Sequence, residues 1–476
     1  MKLDQLAHAV GCTGVMSDME ITGLCTDSRR AKAGDLFFCY RGQKFDSHSC
    51  VVQLKEAGVA ALVCERKLDC DLPQIVVAAG WAAVAKAARI FYGEADRVLK
   101  LVAVTGTNGK TTTTYMLDSI FRAAGKKCGI ISTLGITYGG RFIAPELTTP
   151  DPVYLHSVLR DMADCGVEYV FMEVSAHALY FDKVAGLKFE AGIFTNCTQD
   201  HLDFFQDMSS YAVCKKKLFE RGRCRRSVIN IDDAVGREIA RFAPSPMTYG
   251  LNNPADVFAV DVEESIEGVK FILNLCDELY EVELHVPAVH NAYNAMAAAT
   301  CAKLLGVNIE TIAKGLAALR SVPGRLERVG CFNGAHIFVD FAHTPDGLEK
   351  SLSSLKKLCR GRLYCLFGCG GNRDKTKRPL MGAVAAKYAD FCIITSDNPR
   401  YEDPYDIIRE IEDGVRPSGK SYVTVTDRET ATEYALNLLK EGDVLLVAGK
   451  GGENYQEIMG IKHSYNDNTV IKNIIG

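Results

Sequence analysis

The stretch Val102-Ala-Val-Thr-Gly-Thr-Asn-Gly-Lys-Thr-Thr112 decides the fold of the middle of this 476-residue chain. The apolar run at residues 101–104 predicts a buried parallel strand, and a helix is predicted from residue 110 to residue 124. The glycine-containing loop between them is suited to bind an anion, because the N–H groups of the loop and the N-terminus of the helix would both face the bound group. Lys110 adds a positive charge there and Thr111 a hydroxyl group for Mg²⁺. We therefore predict a nucleotide site with ATP as the ligand, although the usual phosphate loop has one more glycine at its start.

Composition describes an ordinary globular protein. A chain of this length exceeds one hydrophobic core, so about two to four domains are expected. Its 47% hydrophobic and 24% charged content is typical of a soluble protein. The net charge of −4 gives no support for a nucleic-acid partner. No apolar segment approaches ~18 residues, so we expect no membrane insertion.

The 18 cysteines are scattered rather than spaced as pairs. Cys365 and Cys369 flank a glycine turn, but no second pair or histidine stands at zinc spacing. The N-terminus does not resemble a signal peptide. We therefore expect reduced thiols, most of them in the core, and a cytoplasmic protein.

Alternating strand and helix patterns predict an α/β protein of three domains. Residues 1–98 form a small N-terminal α/β domain, residues 99–323 a central parallel-sheet ATPase domain with the phosphate loop, and residues 324–476 a Rossmann-like domain. Residues 257–286 read as strands at the edge of the central sheet. The strand at residues 444–447 is predicted to be the last of the chain.

Polar clusters follow several predicted strands of the central domain. They lie at residues 148–150, 173–177, 195–196 and 200–201. Alone, Ser175 or Asp200 reads as a helix cap, and the pattern around Lys215 favours a surface lysine. Because the carboxyl ends of parallel strands lie at one edge of a sheet, we expect the four clusters to meet at the edge that carries the phosphate loop. Ligands of such sheets bind at this edge.

The third domain carries polar residues at the same kind of edge. Arg373 and Arg400 with Asp397 and Glu453 suit a ligand that has both ammonium and carboxylate groups. A set of surface ion pairs is the alternative. The glycine loop at residues 368–371 does not match the dinucleotide fingerprint, so we expect no nicotinamide cofactor.

Four motifs together resemble the Mur ligase family, the ATP-dependent amino-acid-adding enzymes of peptidoglycan synthesis. They are Thr105-Gly-Thr-Asn-Gly-Lys-Thr-Thr112, Glu173-Val-Ser175, Asp200-His-Leu-Asp203 and Val339-Asp-Phe-Ala-His-Thr-Pro345. The resemblance runs nearly end to end in family order. It implies an ATP site formed by Gly106, Thr107, Asn108, Gly109, Lys110, Thr111, Thr112, Asn291, Asn294, Arg325, Asp340 and His343. It implies a UDP-linked muramoyl-dipeptide acceptor at Ser28, Thr148, Thr149, Ser175 and Lys183.

The resemblance also changes the interpretation of Lys215. The spacing from Tyr211 to Phe219 matches the family motif whose lysine is carbamylated by CO₂. Carbamylation turns an ammonium into an anion that binds Mg²⁺. Two Mg²⁺ ions are implied, with Thr111, Glu173, His201 and the Lys215 carbamate as ligands. The catalytic residues implied are Lys110, Glu173, His201 and Lys215.

The segment Asp397-Asn398-Pro399-Arg400 resembles the signature of the subgroup that adds meso-diaminopimelate rather than L-lysine. Arg373, Gly449 and Glu453 fall where that subgroup places its other contacts. The distal carboxylate of diaminopimelate, which lysine lacks, is a natural partner for Arg400. Departures from the family patterns are Leu147, Ala176, Phe181, Lys183, Gln199, Phe205, Ala288 and Gly452. Of these, Leu147, Phe181 and Lys183 fall at the acceptor contacts, whereas none removes a core catalytic group.

We thus expect a monomeric enzyme with small-molecule substrates only, which forms an acyl phosphate and then a peptide bond. The same reaction with L-lysine or L-ornithine is one alternative. A ligase like folylpolyglutamate synthase is another, against which the first 98 residues and the box at residues 397–400 argue. An inactive nucleotide-binding scaffold is the third alternative. The presence of Lys110, Glu173, His201 and Lys215 argues against it.

Overall fold

A computed structural model describes residues 1–13, 17–42 and 45–476, apart from the side chain of Asp203. The N-terminal unit has a parallel four-stranded sheet in the order β1-β2-β3-β4. Its strands are β1 (Gly23–Cys25), β2 (Asp35–Phe38), β3 (Ala61–Cys64) and β4 (Gln74–Val76). Its α-helices are α1 (Leu3–Ala9), α2 (Val51–Glu56) and α3 (Gly80–Phe91). Every residue of β2 and β3 is buried, as expected for a parallel sheet covered on both faces.

The central unit is built on an 11-stranded sheet. Its order is β15-β14-β13-β12-β11-β10-β5-β9-β6-β7-β8. The strands are β5 (Lys100–Thr105), β6 (Cys128–Ser132), β7 (Gly135–Tyr138), β8 (Arg141–Ile143), β9 (Tyr169–Glu173), β10 (Phe189–Phe194), β11 (Cys224–Asn230), β12 (Pro246–Gly250), β13 (Val257–Glu264), β14 (Val269–Leu275) and β15 (Glu278–Leu284). The middle strands are parallel, and antiparallel hairpins extend both edges.

Helices cover both faces of this sheet. They are α4 (Lys110–Ala123), α5 (Pro152–Asp164), α6 (Ala176–Tyr180), α7 (Leu202–Phe205), α8 (Met208–Lys216), α9 (Ala234–Ala240), α10 (His290–Leu304) and α11 (Ile309–Ala318). The strand β5 lies between β10 and β9, so the phosphate loop leaves the middle of the sheet. Val102 and Val104 face one core, whereas Leu101 and Ala103 face the other. This alternation buries both faces of β5 and fixes its register.

The third unit has a six-stranded sheet in the order β16-β17-β21-β18-β19-β20 and a separate hairpin. Its strands are β16 (Glu327–Phe332), β17 (Ala335–Asp340), β18 (Leu363–Phe367), β19 (Phe391–Ile394), β20 (Tyr422–Thr424), β21 (Val444–Ala448), β22 (Tyr455–Ile458) and β23 (Ile461–Ser464). Its helices are α12 (Pro345–Leu358), α13 (Lys377–Tyr388), α14 (Pro404–Val415), α15 (Arg428–Leu438) and α16 (Asp467–Ile475).

The α/β class and the three-unit architecture are thereby confirmed. The strands predicted within residues 257–286 are confirmed as β13, β14 and β15 at one edge of the central sheet. The prediction that residues 444–447 are the last strand was wrong, because the β22–β23 hairpin follows. Its strands are short and β23 is exposed throughout, so they lack the apolar run that marked the others. Among the described residues, no helix combines the length and apolar character needed to cross a membrane.

Candidate active site

The phosphate loop is closed by its own lysine. Gly109 adopts a left-handed conformation with φ +87° at the start of α4, and a side chain there would meet Asn294 Oδ1 at 2.3 Å. Lys110 Nζ folds back to donate to the carbonyl oxygens of Gly106 at 2.9 Å and Thr107 at 2.8 Å. Burial lowers the pKa of Lys110. The ammonium is therefore held over the loop, where the phosphates of a nucleotide would lie.

A chain of hydrogen bonds links this loop to the third unit. Thr111 Oγ1 donates to Glu173 Oε1 at 2.7 Å, and Arg325 Nη2 donates to Thr111 Oγ1 at 2.9 Å. Glu173, at the end of β9, is fully buried and also accepts from the backbone N–H of Thr133 at 3.0 Å and from its hydroxyl at 3.1 Å. The structure thus brings together Thr111, Glu173 and Arg325, which lie far apart in the sequence.

The asparagines at the start of α10 turn inward. Asn291 and Asn294 are buried, Asn294 Nδ2 donates to Asn291 Oδ1 at 3.0 Å, and Asn291 Nδ2 donates to the carbonyl of Pro287 at 2.6 Å. The helix cap position belongs to Val289, so neither asparagine is the cap. Asn294 instead lies against the left-handed Gly109.

Asp340 at the end of β17 organises the turn that follows it. Its carboxylate accepts from the N–H groups of Leu326 at 2.5 Å and Ala342 at 2.9 Å and from Ser351 Oγ at 3.1 Å. Burial raises the pKa of Asp340. His343 lies in this turn and its Nδ1 contacts the carbonyl oxygen of Phe341 at 2.8 Å.

A carboxylate that sequence reasoning missed crosses to the phosphate loop. Asp346, in the first turn of α12, accepts at Oδ2 from Asn108 Nδ2 at 2.7 Å, Thr198 Oγ1 at 3.1 Å and Lys350 Nζ at 2.9 Å. The first two donors belong to the central unit. An acidic residue in the first turn of a helix is already explained by its favourable interaction with the helix dipole. The sequence therefore gave no indication that Asp346 also contacts Asn108 and Thr198.

Lys215 is buried rather than at the surface. It lies in α8 with 1% exposure, and its Nζ lies 4.0 Å from the centroid of the Tyr211 ring. The Tyr211 hydroxyl lies 3.3 Å from Thr107 Oγ1 in the phosphate loop. Burial, followed by the charge of Lys110, lowers the pKa of Lys215 to about 7. A substantial share of neutral amine is therefore present near neutral pH, and the neutral form is the one that reacts with CO₂.

His201 lies directly before α7 and has a left-handed backbone conformation with φ 54°. Its Nε2 lies 3.4 Å from Asp200 Oδ2, and its ring contacts that of His177 with 4.8 Å between centroids. Its side chain is 40% exposed, so it lines an open part of the site. A non-glycine residue in this conformation is uncommon and often marks a functional position.

The donor set fits a magnesium ion that arrives with a nucleotide. Within the residues that the structure describes, no group of three or more His, Cys, Asp or Glu side chains is arranged to hold a metal. Glu173 and Thr111 supply oxygen atoms of the kind that Mg²⁺ prefers, and Mg²⁺ is commonly held by one or two carboxylates plus substrate phosphates. The Lys215 ammonium would repel a cation, so this residue fits only as a carbamate.

A cavity of about 410 Å³ lies between the N-terminal and central units. Its lining includes Tyr40, Trp81, Phe181 and Lys183. The ring of Trp81 lies 4.2 Å from that of Tyr40 and 4.8 Å from that of Phe181, measured between centroids. Lys183 Nζ pairs with Asp151 Oδ1 at 2.6 Å at the rim.

The other residues expected to contact the acceptor divide into two groups. Thr149 Oγ1 donates to the carbonyl of Glu173 at 2.9 Å, and the Ser175 N–H donates to Thr149 Oγ1 at 3.1 Å. Thr148 Oγ1 lies 3.1 Å from Thr133 Oγ1, so these residues lie beside the Glu173 cluster. Ser28 lies in the N-terminal unit, where its carbonyl accepts from Gln53 at 3.3 Å.

The predicted amino-acid site is a buried polar cluster in the third unit. Lys450, which was not singled out in the sequence and is fully buried, donates to Asn398 Oδ1 and to Glu453 Oε2, each at 3.0 Å. Asn398 Nδ2 donates to Glu453 Oε2 at 2.9 Å. A side chain at Gly449 would meet Asp397 Oδ2 at 2.6 Å, so glycine permits this close approach.

Two residues of this site differ in how they are held. Arg400 is tied to Glu457 by a 3.1 Å contact from its Nε, and its Nη1 donates to the carbonyl of Gly371 at 2.8 Å. Pro399, just before it, is buried. Arg373 is exposed at the edge of the cluster. Glu457 lies on the hairpin that was not predicted, so its contact with Arg400 was not predicted either.

Three family models match consecutive parts of the chain. "Mur ligase family, catalytic domain" matches residues 20–108, "Mur ligase middle domain" residues 104–302, and "Mur ligase, glutamate ligase domain" residues 324–451. A Geobacillus kaustophilus protein named UDP-N-acetylmuramoyl-L-alanyl-D-glutamate–2,6-diaminopimelate ligase is 41% identical over 461 residues, which are 95% of this chain and 94% of that protein.

Solved structures agree with this match. A structure of an enzyme with that same name aligns with a TM-score of 0.71 and 29% identity, covering 100% of this chain and 99% of the other. Mycobacterium tuberculosis folylpolyglutamate synthase aligns with a TM-score of 0.66 at 18% identity, over 77% of this chain and 92% of the other. That second likeness concerns the fold alone.

Proposed function

The chain belongs to the Mur ligase family, and from that premise we propose that it joins meso-2,6-diaminopimelate to UDP-N-acetylmuramoyl-L-alanyl-D-glutamate. The D-glutamyl carboxylate attacks the γ-phosphate of ATP, which yields an acyl phosphate and ADP. The amino group of diaminopimelate then attacks the acyl carbon, and the tetrahedral intermediate expels phosphate as the amide forms. The enzyme is a peptide ligase of peptidoglycan precursor synthesis.

The observation that carries this proposal is the contact chain from the phosphate loop into the third unit. Lys110 lies over the loop, Thr111 contacts Glu173, and Arg325 contacts Thr111. Phosphoryl transfer depends mainly on positioning and on stabilising developing charge. Lys110 and Arg325 supply positive charge from two units, so the arrangement is complete only when these units are together.

The remaining nucleotide contacts follow the same division. Gly106, Thr107, Asn108, Gly109 and Thr112 would surround the phosphates with Lys110 and Thr111. Asn291 and Asn294 would face the nucleotide from the central unit, and Asp340 and His343 from the third. These roles support ATP as the phosphoryl donor.

Two magnesium ions are part of the proposal. Thr111, Glu173, His201 and a carbamylated Lys215 would hold them together with the phosphates of ATP. The ions would neutralise charge on the transferring phosphoryl group. The burial of Lys215 and its pKa of about 7 support formation of the carbamate from the neutral amine and CO₂.

We assign the acceptor to the cavity of Trp81 and Phe181 and to the polar row of Thr148, Thr149 and Ser175. Ser28 and Lys183 would contact it from the N-terminal side and the rim. The amino acid would lie at Arg373, Gly449, Glu453 and the segment at residues 397–400. Arg400 favours diaminopimelate over L-lysine because lysine would leave its guanidinium without a carboxylate.

The proposal includes the organisation of the chain. We propose that residues 1–98 bind the acceptor, residues 99–323 bind ATP and residues 324–476 bind the amino acid. We propose that the protein works as a monomer in the cytoplasm, with small-molecule substrates only.

The test is ADP release by the purified protein with ATP, Mg²⁺ and the UDP-linked dipeptide. Diaminopimelate and L-lysine are compared, and omission of the acceptor is the control. We expect release that needs the acceptor together with diaminopimelate. Equal or faster turnover with L-lysine would overturn the amino-acid assignment, and release independent of the acceptor would overturn the ligase assignment.

A further inference from the structure

The β22–β23 hairpin is joined to the proposed amino-acid site almost residue by residue. Gln456 Nε2 donates to the carbonyl of Asp397 at 2.8 Å, and the N–H of Glu457 donates to Asn398 Oδ1 at 2.9 Å. The N–H of Arg400 donates to the carbonyl of Glu457 at 3.0 Å, and the N–H of Met459 donates to the carbonyl of Arg400 at 2.7 Å. The segment at residues 397–400 therefore has the hairpin as a rigid backing.

Arg400 is held in a backbone conformation that needs such support. Its φ is +54°, in the left-handed region that non-glycine residues seldom adopt. Conformations of this kind persist where the surroundings fix them, and they gather at ligand sites. The two backbone hydrogen bonds from the hairpin fix this residue.

The side chain of Arg400 is fixed as well. Glu457 Oε2 accepts from Nε at 3.1 Å, and the carbonyl of Gly371 accepts from Nη1 at 2.8 Å. These contacts use two of the five N–H groups of a guanidinium. Three N–H groups remain to bind a carboxylate, and the ion pair is partly shielded, with side-chain exposures of 19% and 23%.

We propose that Glu457 is a positioning residue for the amino-acid substrate, acting through Arg400. This inference rests on the proposed function, since it assumes that Arg400 receives a carboxylate of the incoming amino acid. A long arginine side chain loses rotamer freedom when it binds a ligand, and Glu457 removes that freedom beforehand. The ligand then meets a guanidinium already in the binding orientation.

The charges around Arg400 are consistent with this role. Asp397 and Glu453 lie in the same cluster, and Lys450 is paired with Glu453 and Asn398. Glu453 Oε2 is already occupied by Lys450 and Asn398, so Asp397 would be the main partner for an ammonium group of the substrate, and Arg400 would face its carboxylate. Glu457 contacts Nε, at the stem side of the guanidinium, so it leaves the Nη2 group to the ligand.

The experiment compares Glu457→Ala, Glu457→Gln and the control Ser464→Ala, the last on the exposed strand β23. Steady-state ADP release gives kcat and a separate KM for each substrate. We expect Glu457→Ala to raise KM for diaminopimelate by about tenfold, the scale of one charge-assisted hydrogen bond. KM for ATP and for the acceptor should stay unchanged, and Glu457→Gln should recover part of the loss because its amide oxygen still accepts from Nε.

A double variant tests that Glu457 acts through Arg400. Adding Glu457→Ala to Arg400→Ala should raise KM for diaminopimelate no further than Arg400→Ala alone. Additive effects, or a lower KM in Glu457→Ala because Glu457 competes with the ligand, would overturn the inference. So would an equal rise of KM for all three substrates. Diaminopimelate-dependent turnover by the wild type is measured first, because its absence overturns the proposed function, whereas an active wild type with an unchanged Glu457→Ala overturns this inference alone.

Discussion

The buried ion pair between Arg428 and Asp467 gives a prediction whose size follows from its geometry. Arg428 Nε lies 2.8 Å from Asp467 Oδ1 and Nη2 lies 2.9 Å from Oδ2, and both side chains are fully buried. Arg428 Nη2 also donates to the carbonyl of Ala448 at 2.9 Å. The pair thus ties α15 and α16 to the end of β21, directly before Gly449 of the proposed amino-acid site.

Asp467→Asn should destabilise the third unit strongly. The substitution leaves a buried guanidinium without a counter-charge and turns an amide donor toward an N–H donor. Breaking a buried pair in this way costs about 3 kcal/mol or more. Since about 1.4 kcal/mol corresponds to a factor of ten, the opening equilibrium should rise by roughly 100-fold.

Hydrogen exchange of the full-length protein measures this locally. We expect amides of β21, α15 and α16 to exchange roughly 100-fold faster in Asp467→Asn, whereas those of the N-terminal unit keep their rates. Asp406→Asn is the matched control, because Asp406 forms an exposed pair with Arg409 in the same unit. Its effect should stay below about 1 kcal/mol. Equal protection in Asp467→Asn and the wild type would refute the reasoning.

Three further predictions concern single side chains. Thr111→Val removes the hydroxyl between Glu173 and Arg325, so kcat/KM for ATP should fall by about 100-fold in the ADP-release assay. Lys215→Ala should abolish turnover, and a short-chain carboxylic acid should restore part of it by taking the place of the carbamate. His156→Leu should weaken the dependence of the free energy of unfolding on pH below 6.5. Burial lowers the pKa of His156 from 6.5 to about 3, so between these pH values only the unfolded chain binds this proton. The wild type should therefore lose up to about 1.4 kcal/mol per pH unit from this group as pH falls below 6.5, measured by denaturant unfolding.

Each of these has a control in the same chain. Thr113, on the same helix, is fully buried and its hydroxyl has no hydrogen-bond partner among the described residues, so Thr113→Val should leave activity intact. Lys216 pairs with Glu238 near the surface, and Lys216→Ala should keep turnover. A loss as large in Thr113→Val as in Thr111→Val, full activity in Lys215→Ala, or an unchanged pH dependence of the free energy of unfolding in His156→Leu would each contradict the corresponding argument.

Local pattern was sufficient for most of the fold. The apolar run before Gly106 and the helical pattern from residue 110 predicted β5 and α4 to within a residue or two, because both elements are buried on strongly patterned faces. The hairpin at residues 455–464 escaped prediction because neither of its strands has a buried residue, and because it is attached to Arg400 by backbone hydrogen bonds between residues distant in the sequence. Tertiary contacts of this kind leave little trace in a short sequence window.

The site divides in a similar way. Glycine and lysine spacing identified the phosphate loop, since the chemistry there is local. The helical pattern of apolar residues predicted Lys215 at the surface, but the structure buries it. Other parts of the chain cover the side of α8 that carries Lys215, and the pattern of a single helix does not reveal such a covering. Asp346 was missed since its partners Asn108 and Thr198 are more than a hundred residues away in the chain.

The contact of Asp346 with Asn108 has a consequence for how the protein uses ATP. The central unit holds the phosphate loop, but Arg325 and Asp346 come from the third unit. A central unit separated from its neighbour would retain a loop for phosphates and lack the charge that promotes transfer. We therefore expect phosphoryl transfer from ATP to water to be slow whenever the central and third units are apart, because Arg325 is then missing from the phosphate loop.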